Sequence, residues 1–276
     1  MRRTCYNNGV VAYAFESLAS FPLQAHVSAR HGGVSPEPWH SLNFSYSRGD
    51  ERERVLENFA RFCGAIGKDP SEPVRTHQIH STNVAQVGWE DAGTRKASCD
   101  ALITDAVDLP LFLVFADCVP LVIYDPARHV LGACHAGWRG TVDGMASAAL
   151  RAMNAAFGTD AADVHVGIGP SIGPESYEVG EEVIGRATSL LPGGEKYLKE
   201  GEGVKDGLLF DLWQANIDQL TAAGVPREQI ELSGIDTARR TDEFFSHRAE
   251  EGRCGLFGLL TWLEPRGQGH RSQFEI

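Results

Sequence analysis

Residues 109–141, LPLFLVFADCVPLVIYDPARHVLGACHAGWRGT, decide the fold of this chain. Three apolar runs follow one another here: Asp117-Cys118 separates the first two, and an Asp-Pro turn at 125–126 separates the last two. Runs that are apolar almost throughout are typical of strands covered on both faces. The stretch therefore predicts three buried β-strands in an α/β protein.

The end of the same stretch predicts a helix. Residues 136–140 break the strand pattern, and Thr141 is a suitable N-cap. Apolar side chains then recur at helical spacing, namely Val142, Met145, Ala149, Met153 and Ala156. The unit is a strand, a short loop and a helix.

The flanking sequence extends this α/β pattern. We predict a helix capped by Asp50, with Glu53 three residues on and an apolar face of Val55, Phe59, Phe62 and Ile66. Further helices are predicted at 180–191 and 212–223, two strands within 74–88, single strands at 163–168, 229–235 and 256–263, and a charged surface segment at 192–207. We expect one domain of mixed sheets with outer helices over residues 26–263, an N-terminal lead-in at 1–25 and a disordered tail at 264–276.

Composition excludes several classes of protein. The 276 residues are 42% apolar and 22% charged, enough for a large core, and the net charge of −12 comes without any basic cluster. Nucleic acid is therefore not an expected partner. No apolar run approaches the roughly 20 residues of a membrane span, and the apolar stretch Val10–Phe15 is too short for a signal peptide. We expect a cytoplasmic protein, and the sequence does not indicate its oligomeric state.

Cofactor motifs of the common kinds are absent from the sequence. None of the 6 cysteines forms a C-x-x-C pair, and we expect reduced thiols. The glycines of GIGPSIG (167–173) do not have the spacing of a dinucleotide-binding loop, so NAD and FAD are not predicted. A metal site would have to combine distant segments.

His80, Cys118 and His135 are the candidates for such a site. Each lies where an apolar run gives way to a loop, and strand ends are where α/β proteins bind ligands. Two imidazoles and a thiolate suit Zn²⁺ and leave a fourth position open. The alternative is a core thiol and two hydrogen-bonded loop histidines. Cys134, next to His135, should point to the opposite face and pack in the core.

The loop Gly137–Gly140 is a candidate anion site. It precedes a helix N-terminus, whose free N–H groups favour a phosphate or carboxylate, and Arg139 could add donors. The alternative is a tight turn with Arg139 in solvent.

Several motifs together resemble one family. They are ARHGGVS within 29–50, QIHSTNV (78–84), DALIT (100–104), ADCVPLVIYDP (116–126), HAGWRGT (135–141), IGPSIGPESYEVGEEV (168–183) and FFSHRAEEGR (244–253). In this order they are similar to the YfiH-like family, also named the laccase-domain or multicopper polyphenol oxidase family. The resemblance covers about residues 26–263.

The resemblance implies a four-layer α/β/β/α sandwich with zinc held by His80, Cys118 and His135. It also implies purine nucleoside phosphorylase activity, in which adenosine, inosine or 5′-methylthioadenosine reacts with phosphate to give the base and ribose 1-phosphate, with adenosine deamination as a secondary activity. The sequence departs from the family pattern at Ser81, usually glycine, and at Asp236, usually cysteine. Neither change touches the three implied ligands.

Substrate contacts can be assigned only as candidates. Phosphorolysis needs a phosphate clamp, for which Arg139 is the first candidate and Arg30, Arg248 and Arg253 are others. Asp117 is the candidate acid or base, or else it orients a ligand or caps a loop. Asn43 could hydrogen-bond ribose or purine, or cap a turn.

Three other functions remain open. A multicopper oxidase needs about ten imidazoles, mostly in H-x-H pairs, whereas this chain has His 10 in total and no such pair, although one copper could bind the zinc site in vitro and oxidise phenols. A Cys-His hydrolase or amidase would use Cys118 as nucleophile and His135 as base. In a binding module, zinc would only hold the loops together.

Overall fold

The computed structural model describes residues 1–201 and 207–267 as two large sheets packed face to face with helices outside. The strands are β1 (Arg2–Cys5), β2 (Val11–Ala14), β3 (Leu23–Ser28), β4 (Val74–Thr76), β5 (Val84–Gln86), β6 (Arg95–Lys96), β7 (Ala101–Thr104), β8 (Leu111–Phe115), β9 (Val119–Asp125), β10 (Val130–Ala136), β11 (His165–Ile168), β12 (Glu178–Val179), β13 (Leu198–Lys199), β14 (Leu208–Phe210), β15 (Ile230–Leu232) and β16 (Phe257–Leu263). The helices are α1 (Arg52–Ala65), α2 (Trp138–Val142), α3 (Met145–Phe157), α4 (Glu181–Leu190) and α5 (Leu212–Ala222).

Each large sheet mixes parallel and antiparallel neighbours. The seven-stranded sheet has the order β1-β2-β3-β16-β8-β4-β6, and the six-stranded sheet has the order β15-β11-β9-β10-β7-β5. A small antiparallel sheet, β12-β14-β13, lies beside them. None of the helices in the described ranges is long and apolar enough to cross a bilayer.

Alternating side chains divide the core into three layers. On β8, Leu111 and Leu113 pack between the two sheets, whereas Phe112 packs with Phe59 and Phe62 of α1. On the six-stranded sheet the faces alternate in the same way: one side packs between the sheets, and the other packs against α3 and α5. The order is therefore helix, sheet, sheet, helix, and the predicted four-layer α/β/β/α sandwich is confirmed.

Most predicted elements are present, but two helix boundaries differ. Asp50 is not the N-cap of α1, since the helix begins after Glu51 and the Asp50 carboxylate accepts hydrogen bonds from Ser35 and Asn43. The helix predicted after Thr141 is two helices, because Gly144 adopts a left-handed conformation (φ 88°) that interrupts it. Thr141 lies inside α2 and is buried.

The chain ends also differ from expectation. Residues 1–25 form no separate lead-in, because β1 and β2 extend the seven-stranded sheet beyond β3. The predicted surface segment 192–207 contributes β13 and the buried Tyr197, which packs in the helical core layer. Residues 202–206 and 268–276, including most of the predicted tail, lie outside the described residues.

Candidate metal centre

Two of the three candidate ligands lie where the chain crosses from one sheet to the other. β4 belongs to the seven-stranded sheet and β5 to the six-stranded sheet, and His80 lies on the connection between them. The connection from β8 to β9 makes the same crossing and carries Cys118. The two crossings therefore bring residues far apart in sequence to one edge of the sandwich.

His135 completes the group from the end of β10. It pairs in register with Pro120 of β9, close to Cys118, and its ring lies 5.0 Å from that of His80. One ligand atom from each of the three residues lies within 4.8 Å of the others. In the described residues this is the one group of three or more His, Cys, Asp or Glu side chains close enough to hold a metal ion.

The neighbour Cys134 takes the opposite face, as predicted. It is fully buried in the core layer between the six-stranded sheet and the helices. Burial raises the pKa of its thiol to about 12. It is an inert core thiol.

Asp100 organises the metal cluster, and the sequence analysis gave it no role. It is fully buried just before β7 and accepts hydrogen bonds from the backbone N–H groups of Ile79, His80 and Ser81. Its Oδ1 also accepts from Nδ1 of His135 at 3.0 Å. The other ring nitrogen of His135, Nε2, is thereby left for the cluster. A charged residue directly before an apolar strand was the available sequence signal.

The same bonds hold His80 in an unusual backbone conformation. His80 has φ 60°, a left-handed value that is uncommon outside glycine. Ser81, where the family pattern has glycine, donates to Asp100 from both its N–H and its hydroxyl, each at 2.7 Å. The serine therefore adds a bond that a glycine lacks and fixes the loop.

The surroundings of the cluster shift the pKa values of Cys118 and His135. Burial alone would raise the pKa of the Cys118 thiol, but the two imidazoles lower it to about 6. Burial alone would lower the pKa of His135, but Cys118 and Asp100 raise it to about 9. Without metal, these shifts favour a thiolate at Cys118 beside a protonated His135.

Space over the cluster depends on Gly137, the residue before α2. A Cβ atom at this position would lie 2.8 Å from Nδ1 of His80 and 2.9 Å from Sγ of Cys118. Its φ of −69° does not require glycine. The glycine is therefore needed to leave room for the ligand atoms.

Asp117 has both carboxylate oxygens engaged inside the protein. Oδ1 accepts from the hydroxyl of Thr237, and Oδ2 accepts from the backbone N–H of Arg248, both at 2.7 Å. This arrangement favours the alternative of an orienting residue over that of a free acid or base. Asp117 fixes the 248 segment beside Cys118.

Two of the four candidate arginines lie near the cluster. Arg248 lies over the ring of Tyr177 at 5.2 Å and donates to the carbonyl of Glu178. Arg139 lies over Trp138 at 4.1 Å and forms an exposed ion pair with Glu182.

Tyr177 also lies near Cys118, and the sequence analysis gave it no role. Burial and the nearby Cys118 raise the pKa of Tyr177, and Arg248 lowers it. His247 is a further missed neighbour, whose pKa is lowered by burial and by Arg48. Their positions beside Cys118 depend on long-range packing that no local sequence pattern reports.

Two of the predicted substrate contacts, Asn43 and Arg30, are engaged in internal bonds, and a third, Arg253, stays an untested prediction. Asn43 is fully buried, and its amide bonds Ser45, Asp50 and the backbone of Leu256. Arg30 is engaged with the carbonyls of His40 and Thr241 and with Glu250. Arg253 is exposed, and its side chain has no partner within the described ranges. The first two side chains are occupied by internal bonds, and nothing connects the third to the cluster.

Asp236 stands where the family pattern usually has cysteine, and its carboxylate accepts two hydrogen bonds. Its Oδ2 accepts from the hydroxyl of Ser176 at 2.5 Å, and its Oδ1 accepts from the N–H of Ala238. It thereby ties the loop after β11 to the segment after β15.

Known proteins of one family are similar to this chain over most of its length. A family model described as multi-copper polyphenol oxidoreductase laccase matches residues 24–264. A Bacteroides thetaiotaomicron protein named purine nucleoside phosphorylase is 37% identical over 251 residues, which are 85% of this chain and 89% of that protein. Purine nucleoside phosphorylase YlmD of Geobacillus stearothermophilus is 34% identical over 84% of this chain and 86% of its own.

Solved structures are similar over almost the whole chain. The crystal structure of the Bacillus licheniformis hypothetical protein YfiH has a TM-score of 0.87 at 30% identity, covering 95% of this chain and 99% of that one. The Geobacillus stearothermophilus YlmD structure has a TM-score of 0.86 at 31% identity, covering 93% and 97%. The resemblance to the YfiH-like family and its fold is confirmed.

Proposed function

The chain belongs to the multi-copper polyphenol oxidoreductase laccase family, and we propose that it is a zinc-dependent purine nucleoside phosphorylase. The proposed substrates are adenosine, inosine and 5′-methylthioadenosine. In the reaction a phosphate oxygen bonds to C1′, the glycosidic C–N bond breaks, and the purine leaves with the bonding electrons and takes up a proton. The observation that carries the proposal is the His80–Cys118–His135 group, with the backbone of Arg248 held by Asp117 next to Cys118.

The donor set supports zinc as the metal. Two imidazoles and a thiolate are ligands that Zn²⁺ prefers, and a three-ligand set leaves one position for substrate or water. One ligand atom from each of the three residues lies within 4.8 Å of the other two, so one ion could be held by all three. When bound, the metal supplies a Lewis acid that polarises an oxygen in that position. The same donors would accept copper in vitro.

Asp100 acts as a positioning residue in this proposal. Its bond to Nδ1 of His135 fixes the ring and directs Nε2 toward the cluster. Its three backbone contacts fix the loop that carries His80. Both histidine ligands thus depend on one carboxylate.

Arg248 is the proposed phosphate-binding residue, with Arg139 as a second contact. Arg248 has one bond to a backbone carbonyl, so its guanidinium keeps donors for an anion, and Asp117 holds its backbone. Arg139 would have to exchange its exposed partner Glu182 for phosphate, which costs little because exposed ion pairs are weak. Tyr177, against which Arg248 packs, also lies near Cys118.

We propose deamination of adenosine as a secondary activity of the same centre. Water would replace the exocyclic amine, giving inosine and ammonia. Because both oxygens of Asp117 already accept hydrogen bonds, it would act by orienting Arg248 and not as the proton shuttle.

The test is release of base from adenosine by zinc-loaded protein, with and without phosphate. We expect adenine and ribose 1-phosphate only with phosphate, and no product from Cys118→Ala. Arg248→Ala should raise the KM for phosphate about tenfold, whereas Arg253→Ala, an exposed arginine of the same segment, should not change it. Equal turnover in the absence of phosphate would rule out phosphorolysis.

One observation favours a second candidate, the Cys-His hydrolase. The His135 imidazole lies beside Cys118 and lowers the pKa of its thiol, as a cysteine nucleophile with a histidine base requires. Chelation separates the candidates, since it should abolish phosphorolysis and leave a hydrolase active. For the phenol oxidase alternative, activity should appear with copper and not with zinc.

A further inference from the structure

A cavity of about 1160 Å³ lies on the outer, helical face of the six-stranded sheet. Its floor is formed by α3 and α5, and the segment 190–197 closes one side. The volume lies slightly above the roughly 300–1,000 Å³ that is typical of small-molecule sites, so a small ligand would fill part of it. None of His80, Cys118 and His135 lines it, so the cavity is separate from the metal centre.

Two polar side chains lining this cavity have buried oxygen atoms without a partner. Thr159 is 2% exposed, and its Oγ1 forms no hydrogen bond. Gln219 donates from Nε2 to the carbonyl of Thr141 at 2.6 Å, which fixes the amide, while its Oε1 is buried and unpartnered. Buried polar atoms are nearly always hydrogen-bonded in folded proteins. A ligand with N–H or O–H groups would supply the missing bonds.

Two arginines of the cavity are also free. Arg128, on the turn between β9 and β10, and Arg151, on α3, line the cavity, and neither guanidinium has a hydrogen-bond or ion-pair partner among residues 1–201 and 207–267. Two guanidinium groups are suited to a phosphate.

The other charges that line the cavity are largely neutralised. Lys196 pairs with Asp218, and Asp143 pairs with Arg186 from outside the cavity. Asp160 has no ion pair with any residue in the described part of the chain, and its carboxylate accepts from the N–H of Ala162. The balance of unpaired charge is therefore positive and favours an anion.

One wall of the cavity is largely apolar, whereas Ser147 and Asn154 lie elsewhere in the lining. The apolar wall contains Leu150, Leu190, Leu191, Pro192 and Tyr197. Leu190 is among the most exposed large apolar side chains of the described chain, at 52%. Such a wall suits a flat ring better than a sugar, since it offers no hydrogen bonds.

We propose that this cavity is a second ligand site, which binds a mononucleotide. The phosphate lies between Arg128 and Arg151, the base packs on the apolar wall, and amino or hydroxyl groups donate to Gln219 and Thr159. The proposal does not depend on the reaction at the metal centre.

The test is calorimetric binding of AMP, adenosine and ribose 5-phosphate to the full chain, with hydrogen exchange to locate each ligand. AMP should protect 143–161 and 190–199 and should bind more tightly than ribose 5-phosphate at this site. Adenosine, which lacks the phosphate, should give no protection there. Protection confined to 77–81 and 117–118 would place AMP at the metal centre and overturn the proposal.

Variants test the individual contacts. Arg151→Ala and Arg128→Ala should each weaken AMP binding about tenfold or more, and Arg54→Ala, an exposed arginine on α1 across the molecule, should leave it unchanged. Thr159→Val keeps the shape, removes the hydroxyl, and should weaken AMP severalfold in a chain that still folds. Unchanged AMP affinity in both arginine variants, or equal affinity for ribose 5-phosphate, would refute the mononucleotide assignment.

Discussion

Two buried aspartates, Asp50 and Asp100, organise polar networks in different layers, and only one network forms a candidate site. Asp50 lies in the α1 layer and accepts from Ser35 at 2.6 Å and Asn43 at 2.8 Å. Asn58 bonds the Ser35 hydroxyl and the Asn43 carbonyl, which closes the network. Every donor in it has an internal acceptor.

The Asp100 network is built from similar hydrogen bonds, but the ligand atoms of His80, Cys118 and His135 remain unbound by it. Asp100 takes one nitrogen of His135 and the backbone of the His80 loop, and the remaining donor atoms of both histidines and Cys118 converge. The carboxylate is therefore common to both networks, and the unengaged ligand atoms distinguish them. Candidate function at a buried polar cluster is indicated by what its hydrogen bonds leave free.

The largest effect should come from removing one of these free atoms. Cys118→Ala should reduce bound zinc from about one per chain to near zero and abolish turnover, because two imidazoles alone bind zinc weakly. Cys134→Ala is the matched control, since that thiol packs in the core on the adjacent strand. It should keep its zinc and lose about 1 kcal/mol of unfolding free energy. Metal analysis and chemical denaturation measure both, and full zinc content in Cys118→Ala would contradict the ligand assignment.

The second effect concerns the reactivity of Cys118 without metal. Because its pKa is lowered to about 6 from an ordinary value of 9.0, thiolate is present at pH 7 and is lost as the pH falls through 6. At pH 7 we expect the metal-free protein to react with iodoacetamide at Cys118 tens of times faster than a free cysteine derivative. Mass spectrometry of alkylated peptides follows the reaction, and zinc should protect the thiol. A rate that rises only above pH 8 would contradict the imidazole contacts.

The sequence predicted the strands and the ligands of the Asp100 network better than the arrangement of the sheets. The three apolar runs at 109–135 are the observed β8, β9 and β10, and the ends of these runs correctly marked Cys118 and His135 as neighbours. Spacing alone did not show that β8 and β9 lie in different sheets, which depends on long-range pairing. That crossing brings Cys118 to the edge of the sandwich at which the crossing from β4 to β5 places His80.

The supporting residues were less predictable for the same physical reason. Asp50 was predicted to cap α1, yet its carboxylate bonds side chains from an earlier loop. Asp100 acts through His135, which lies 35 residues later on a paired strand. Capping and periodicity describe neighbours in sequence, whereas these contacts are made across the sheets.

The third prediction concerns replacement of each of the two aspartates by asparagine. Asp100→Asn should weaken zinc binding 10–100-fold, as loss of a carboxylate behind a histidine ligand typically does, because the amide bonds Nδ1 less well. Asp50→Asn should leave zinc affinity unchanged and cost about 1–3 kcal/mol of unfolding free energy. Both Asp50 oxygens accept hydrogen bonds, one from Ser35 and Asn43 and the other from the Glu51 N–H, so the amide NH₂ must face a donor in either orientation. Competition with a chelating dye measures the affinity. Equal zinc affinity in the two variants would remove the distinction between the networks.

The smallest expected effect tests whether the ligand atoms of His80 and Cys118 need the space that Gly137 leaves beside them. Gly137→Ala would place a Cβ atom 2.8 Å from Nδ1 of His80 and 2.9 Å from Sγ of Cys118. Displacing these atoms should cost about 1–3 kcal/mol and weaken zinc about tenfold. Gly140→Ala is the matched control: its Cβ would meet no atom closer than 3.5 Å, and alanine favours the helix, so zinc affinity should be kept. Because both glycines have ordinary backbone angles for alanine, a loss confined to Gly137→Ala can only come from crowding at the ligand atoms, whereas equal losses would trace the effect to α2 itself.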